Sequence, residues 1–184
     1  MNKLWIAFHG YGRVGKDTAG NAVIAAVPGM KRVAMGDYIK ADTDAVLQEY
    51  TGISAWTDDP VGKEQIRGFL VQAGYHRYPK YWQQMTEKAQ HEPLLVNTRI
   101  FRLEECQWWV DNGGVIFEIV RPNCGPKDPK EHEELLAVRE AGLITAAVFN
   151  DGTVPEFERK ITNLTRGLAA VKLGLTTTAE GVLV

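Results

Sequence analysis

His9-Gly10-Tyr11-Gly12-Arg13-Val14-Gly15-Lys16-Asp17-Thr18 is the stretch that decides how the rest of this 184-residue chain is read. Ahead of it stands Leu4-Trp5-Ile6-Ala7-Phe8, a short apolar run of the kind a fully buried strand shows. Behind it, Ala19 to Val27 is rich enough in alanine to propagate a helix. Strand, glycine loop and helix form the context in which Gly-x-x-x-x-Gly-Lys holds phosphate. Glycines let the backbone come close, successive amides point inward, and the helix N-terminus adds partial positive charge. Gly10, Gly12, Arg13, Val14, Gly15, Lys16, Asp17 and Thr18 are therefore the predicted phosphate-binding set. Lys16 is expected to reach the outer phosphates as a mobile point charge. Asp17 stands where the pattern has Ser or Thr, so a carboxylate replaces the hydroxyl that ligands Mg²⁺. It can ligand the ion directly or through water. The competing reading, a solvated glycine turn before a surface helix, is disfavoured by the flanking strand and helix.

The bulk composition narrows the remaining classes. A length of 184 residues suits a single domain with a real core. Hydrophobic residues at 45% and charged residues at 24% are ordinary for a globular protein. A formal net charge of −2 gives no electrostatic footprint for nucleic acid, so an anionic ligand must be held by local Lys and Arg clusters. Cys106 and Cys124 lack metal-ligand spacing and read as reduced thiols in a cytoplasm-like compartment. No apolar run reaches membrane-span length and no signal-peptide core is visible, which predicts a soluble, cytoplasmic protein with no membrane partner.

Along the chain, Lys31 to Met35 reads as a second strand, followed by a helix from Tyr38 to about Tyr50. Thr51 to Pro60 is turn-rich. Lys63 to Ala73 predicts a helix with Ile66, Phe69, Leu70 and Ala73 on one face. Pro79 to Gln90 is a further helix. Leu94 to Asn97 and Val115 to Val120 are buried strands, separated by a helix over Glu104 to Val110. Asp128 is read as the cap of a helix ending near Gly142, and Leu143 to Phe149 as the fifth strand. Thr153 and Glu156 make a capping box for a last helix to about Leu173, and the tail from Thr176 has few anchors. Alternating strands and helices predict a parallel sheet covered on both faces, with ligand outside the strands' carboxyl ends. His9-Gly10, Gly36-Asp37, Asn97-Thr98-Arg99, Arg121 and Asn150-Asp151 all fall at such ends.

These residues resemble the P-loop nucleoside monophosphate kinases, and within them the deoxynucleoside monophosphate kinases of tailed bacteriophages. The resemblance runs through Gly15-Lys16-Asp17-Thr18, Ala34 to Lys40, Arg67 to Gly74, Tyr81-Trp82, Thr98-Arg99 with Glu104, Gly113-Gly114, Arg121-Pro122 and Asn150 to Thr153. It implies an α/β P-loop fold on a five-stranded parallel sheet, with an acceptor-binding region over 38–91 and a lid over 121–133. It also implies transfer of the γ-phosphoryl of ATP to a deoxynucleoside monophosphate, with Mg²⁺, in the host cytoplasm if the source is a phage. Where related kinases commonly have aspartate at the end of the third strand, this chain has Asn97, so metal handling falls to Asp17 or Asp37.

Phosphoryl transfer requires positioning and charge neutralisation, and guanidinium makes paired bonds to phosphate oxygens. Lys16, Arg99 and Arg121 are the catalytic candidates. Asp37, Lys40, Arg67, Arg77 and Trp82 are the acceptor-binding candidates. Asp37 also suits the N-cap of the helix it begins. Tyr75, His76, Tyr78, Tyr81 and Trp82 form a cluster that either stacks on a base or packs a core. His132, Lys127 and Lys130 are either lid residues or a solvated helix face. A non-catalytic nucleotide-binding module and a kinase for another phosphorylated acceptor such as dephospho-coenzyme A remain as competing readings. A DNA-associated ATPase is disfavoured by the missing basic stripe. A homodimer is common at this size, though no stretch marks an interface.

Overall fold

Strand β1 (Leu4–His9) alternates Leu4, Ile6 and Phe8 with Trp5, Ala7 and His9, and all six are buried. A strand apolar on both faces belongs in the middle of a sheet with layers on either side. The computed structural model describes residues 3–127 and 129–174, and places β1 there. The described elements continue as α1 (Lys16–Ala26), β2 (Lys31–Val33), α2 (Met35–Thr51), α3 (Pro60–His76) and α4 (Tyr78–Gln90). They end with β3 (Leu94–Asn97), α5 (Leu103–Asp111), β4 (Val115–Val120), α6 (Pro129–Glu140), β5 (Ala146–Phe149) and α7 (Val154–Leu173).

The five strands order as β2-β3-β1-β4-β5. The β1–β3, β1–β4 and β4–β5 ladders are all parallel. The chain runs outward to one side of β1 and then returns to build the other side. The reversal makes the carboxyl end of β1 a topological switch point, where open α/β sheets form their ligand crevice. The predicted α/β parallel sheet is thus the observed one.

The residues group into two compact units, Met1–Arg32 with Glu92–Val184, and Val33–His91. In the first, Leu4, Ile6 and Phe8 pack with Ala19, Val23 and Ala26 of α1 and with Phe157, Ile161 and Ala169 of α7. The opposite face of β1 sets Trp5 against Trp108 and Trp109 of α5, at ring separations of 5.7 and 5.1 Å. In the second, Leu47, Ala55 and Ile66 form a small core with Ile53 and Leu70 beside it. The Asp44 carboxylate ties the loop after α2 by accepting from Ser54 Oγ at 2.8 Å and the Ala55 amide at 2.7 Å. Asp59 caps α3, accepting from the Gly62 amide at 2.7 Å, with Pro60 in the first turn.

Several sequence boundaries shift for identifiable reasons. Helix α1 starts at Lys16 and not Ala19, because Gly15 takes φ +105° and turns the chain directly into the helix. Strand β2 stops at Val33, and Met35 already opens α2, so the apolar Ala34-Met35 pair is a strand exit. Asp37 consequently sits inside the first turn of α2, and Ala34 occupies the cap position expected of it. Phe69 is 46% exposed and does not share the buried face with Ile66. Strand β5 begins at Ala146, while Leu143 is buried ahead of it. The capping box at Thr153 and Glu156 forms as read. Asp128 and the tail from Thr176 lie outside the described residues.

Candidate phosphate-binding site

Between β1 and α1 the chain folds into a loop whose shape the sequence enforces. Gly10 has φ +126°, and a Cβ there would lie 2.6 Å from the Ile119 carbonyl oxygen on β4. Gly15 has φ +105°, and its Cβ would lie 2.7 Å from the Asn150 side-chain nitrogen. Both positions exclude a side chain on conformational and steric grounds. Arg13 is left-handed as well, at φ +68°, a conformation that costs a non-glycine residue free energy and persists only where surroundings impose it.

Lys16 curls back over the loop, its Nζ donating to the Gly10 carbonyl at 2.6 Å and the Tyr11 carbonyl at 2.7 Å. Burial lowers its pKa to about 8; Arg99 and Lys127 push the same way, while Glu131 and Asp17 favour the charged form. A cation crowded by cations and partly stripped of water gains most from an arriving polyanion. Asp17 is exposed in the first turn of α1, with half-buried Thr18 beside it. Among the described residues no cluster of three or more His, Cys, Asp or Glu could hold a metal ion by itself. Asp17 fits Mg²⁺ carried in on phosphate oxygens and water, and the loop does not fit a resident ion.

The segment leading to α6 lies against this loop. The Glu131 carboxylate accepts from the Gly12 amide at 2.9 Å and from the Lys127 amide at 2.6 Å. Tyr11 Oη and His132 Nδ1 are 2.6 Å apart. Arg121 Nη1 donates to the Arg13 carbonyl at 3.4 Å. A Cβ on Gly12 would stand 2.6 Å from Lys127 Cε. Helix α6 is fixed to the sheet by Arg139, whose Nε donates to the buried Glu118 carboxylate at 2.8 Å while Nη2 reaches its other oxygen at 2.5 Å. That pairing raises the Arg139 pKa, chiefly through the hydrogen bond.

Beneath the loop, His9 is completely buried, with Nδ1 3.1 Å from the Ile100 carbonyl. A carbonyl only accepts, so Nδ1 carries the proton. Burial lowers the pKa of this histidine, and its Nε2 has no partner among the described residues. Asn97 is buried too, and its Oδ1 accepts from the Arg99 amide at 2.9 Å. Asn97 thereby shapes the turn that follows β3.

Of the sequence candidates, Gly10 to Gly15 form the loop and Lys16, Asp17 and Thr18 the first turn of α1. Arg99 lies within electrostatic reach of Lys16, and Arg121 touches the loop through a carbonyl. Asp37, Lys40, Arg67, Arg77 and Trp82 belong to the other compact unit. There Arg77 and Lys80 converge on Asp42, Arg67 pairs with Glu64 at 3.8 Å, and Lys40 stands over the Trp56 ring at 5.0 Å. Trp82 stacks on Tyr78 at 6.3 Å, and Tyr81 is fully buried as core. By sequence, Glu131 reads as the capping-box residue of α6 and Asn150 as one of the polar strand ends; neither is expected against the glycine loop. The polar Asn-Asp-Gly end of β5 was the one available signal for Asn150.

Fold and loop together define a P-loop α/β protein. No protein-family model and no curated relative matches the sequence. Solved structures do. A Chloroflexus aurantiacus protein described as a kinase superposes with a TM-score of 0.53 at 13% identity, over 93% of this chain and 98% of that one. Dephospho-CoA kinase from Campylobacter jejuni gives 0.49 at 12% identity, over 95% and 99%. Shikimate kinase from Aquifex aeolicus gives 0.45 at 15% identity, over 90% and 98%. At such identities the likeness to the Chloroflexus protein establishes the fold of this chain.

Proposed function

We propose that this protein transfers the γ-phosphoryl group of ATP to a small phosphorylated acceptor, a deoxynucleoside monophosphate by the sequence resemblance. The observation that carries the reading is Lys16, desolvated and folded over a strained glycine loop at the sheet's switch point. The loop amides and Lys16 hold the β and γ phosphates. Arg99 adds positive charge from the β3 end, and Arg121 braces the loop. Asp37, Lys40, Arg67, Arg77 and Trp82 supply the acceptor side. Asp17 would hold Mg²⁺ arriving with ATP, directly or through water, and the ion would supply charge neutralisation at the phosphates.

The reaction asks little covalent chemistry of the chain. An oxygen of the acceptor phosphate forms the new bond to the γ-phosphorus, and the bond to the bridging oxygen breaks, releasing ADP. The acceptor oxygen is already ionised near neutral pH, so no general base is needed. Positioning and charge do the rest.

A second reading, a nucleotide-binding module without turnover, draws support from Asn97, whose side chain carries no charge and is committed to the Arg99 amide. A coupled ADP-release assay separates the two. ATP is supplied with each deoxynucleoside monophosphate in turn, and with dephospho-coenzyme A as a further arm. Acceptor-dependent ADP release from a monophosphate supports the first reading. ATP binding without release from any acceptor supports the second.

A further inference from the structure

Asn150 ends β5, far from the glycine loop in sequence, yet its Nδ2 donates to the Val14 carbonyl at 2.8 Å. The same nitrogen fills the space that a Cβ on Gly15 would need. Asn150 is itself held firmly. Its amide donates to the Val120 carbonyl at 2.8 Å, and Lys160 clamps the segment by donating to the Phe149 carbonyl and the Asp151 carboxylate. Immediately after it, Thr153 and Glu156 lock the start of α7 in a reciprocal cap.

A trans peptide points its C=O and its N–H in opposite directions. Holding the Val14 oxygen toward Asn150 therefore turns the Gly15 N–H the other way, toward the concave side of the loop. We propose that Asn150 is a positioning residue for nucleotide binding: it fixes the Val14–Gly15 peptide so that the Gly15 amide faces the incoming phosphate. It touches no reacting atom. The inference rests on the phosphate-loop reading above and specifies how one amide of that loop is aimed. An unaimed peptide at a left-handed glycine has an accessible flipped state, and binding must then reverse the flip.

The test is ADP affinity, by calorimetry on the full chain, for the wild type, Asn150→Asp and Asn150→Ala. Asparagine to aspartate keeps the shape, but an ionised carboxylate cannot donate and instead repels the carbonyl. At pH 8 Asn150→Asp should bind ADP at least about tenfold more weakly, the scale of one unsatisfied hydrogen bond. Facing the Val14 carbonyl raises the introduced carboxyl above the ordinary aspartate value of about 3.9. As pH falls toward 4 it therefore regains a proton and donates again, and its deficit relative to wild type should shrink. Asp151, Lys160 and Glu156 on the β5–α7 side, and Arg13, Lys16, Asp17 and Arg121 about the loop, are charged groups near this position, and each variant is compared with wild type at the same pH. Asn150→Ala should keep its deficit at every pH. The thermal midpoint of the ADP-free protein, followed alongside, should not track these affinity losses. Wild-type affinity in Asn150→Asp at pH 8, or a deficit that ignores pH, overturns the proposal. So does a deficit matched in every variant by loss of the ADP-free fold. Failure of the wild type to bind ADP at all would instead reject the phosphate-loop reading.

Discussion

The Glu131 carboxylate accepts a hydrogen bond from the Gly12 amide at 2.9 Å, placing a negative side chain on the loop proposed to bind phosphate. Its charge favours the protonated form of Lys16, the service a phosphate would perform. An anion and a polyphosphate at one loop repel, and an interaction of about 1 kcal/mol near a protein surface is worth several-fold in affinity. Glu131→Gln removes the charge and keeps one acceptor oxygen, enough for the Gly12 amide but not for that of Lys127 as well. ADP should then bind about threefold to tenfold more tightly by titration calorimetry. Weaker or unchanged binding would show that the carboxylate is not in competition with phosphate.

Lys16 gives binding a pH dependence of determined sign. Its pKa in the free protein is about 8, and a bound polyphosphate raises it, so binding takes up a proton when pH exceeds that value. ADP affinity should fall as pH rises above about 8, with a limiting slope of roughly tenfold per pH unit. Lys16→Arg replaces the ammonium with a group that stays charged, so its affinity, whatever its absolute level, should be flat from pH 7.5 to about 9.5. An identical slope in wild type and variant would move the effect to another group.

Glu118 and Arg139 set the seat of α6. Removing the guanidinium strands a carboxylate that is almost fully buried, and because the Arg139 side chain is itself 44% exposed the cost is about 1–3 kcal/mol. Arg139→Met should lower the thermal midpoint strongly, and Glu118→Gln with Arg139→Met together should recover much of the loss. Equal losses in the single and double variants would mean that the pair contributes nothing specific.

His9 predicts an acid-side loss of stability. The folded protein holds its ring neutral, whereas an unfolded histidine protonates near pH 6.5. The contribution is therefore complete above about pH 6.5 and is lost as pH falls below it, because the unfolded chain binds the extra proton. Asp42, Asp44, Asp151 and Glu156 also have lowered values, so their losses belong to more acidic conditions. Thermal midpoints between pH 7 and 5 should decline in wild type and flatten in His9→Asn. An unchanged decline in that variant would contradict the assignment.

The loop was legible because everything that shapes it is local. Gly10, Gly15 and Lys16 are close in sequence, and their conformations follow from residue type. What tunes the loop was not legible. Asn150 meets Val14 across 136 residues and Glu131 meets Gly12 across 119, and no periodicity in a single sequence encodes either contact. The strand ends were readable as polar exits from apolar runs, but not which exit faces what. Asn97 reads as an amide standing where related kinases have aspartate, and only the fold shows its Oδ1 accepting from the Arg99 amide of its own turn. Phe69 fell on a helical apolar stripe and is exposed, because α3 contributes only Ile66 and Leu70 to a core that is small to begin with. Ala34-Met35 had strand-like hydrophobicity, and the helix start captured them.

The most direct measurement of the central claim follows the phosphorus itself. ATP labelled at the γ-phosphate is incubated with the protein, Mg²⁺ and a deoxynucleoside monophosphate, and the products are separated. Label should appear in a deoxynucleoside diphosphate, with Lys16→Ala slowing its appearance by about 10²–10³-fold while the variant remains folded. Label confined to ATP with every acceptor, or transfer at the wild-type rate in Lys16→Ala, would contradict it.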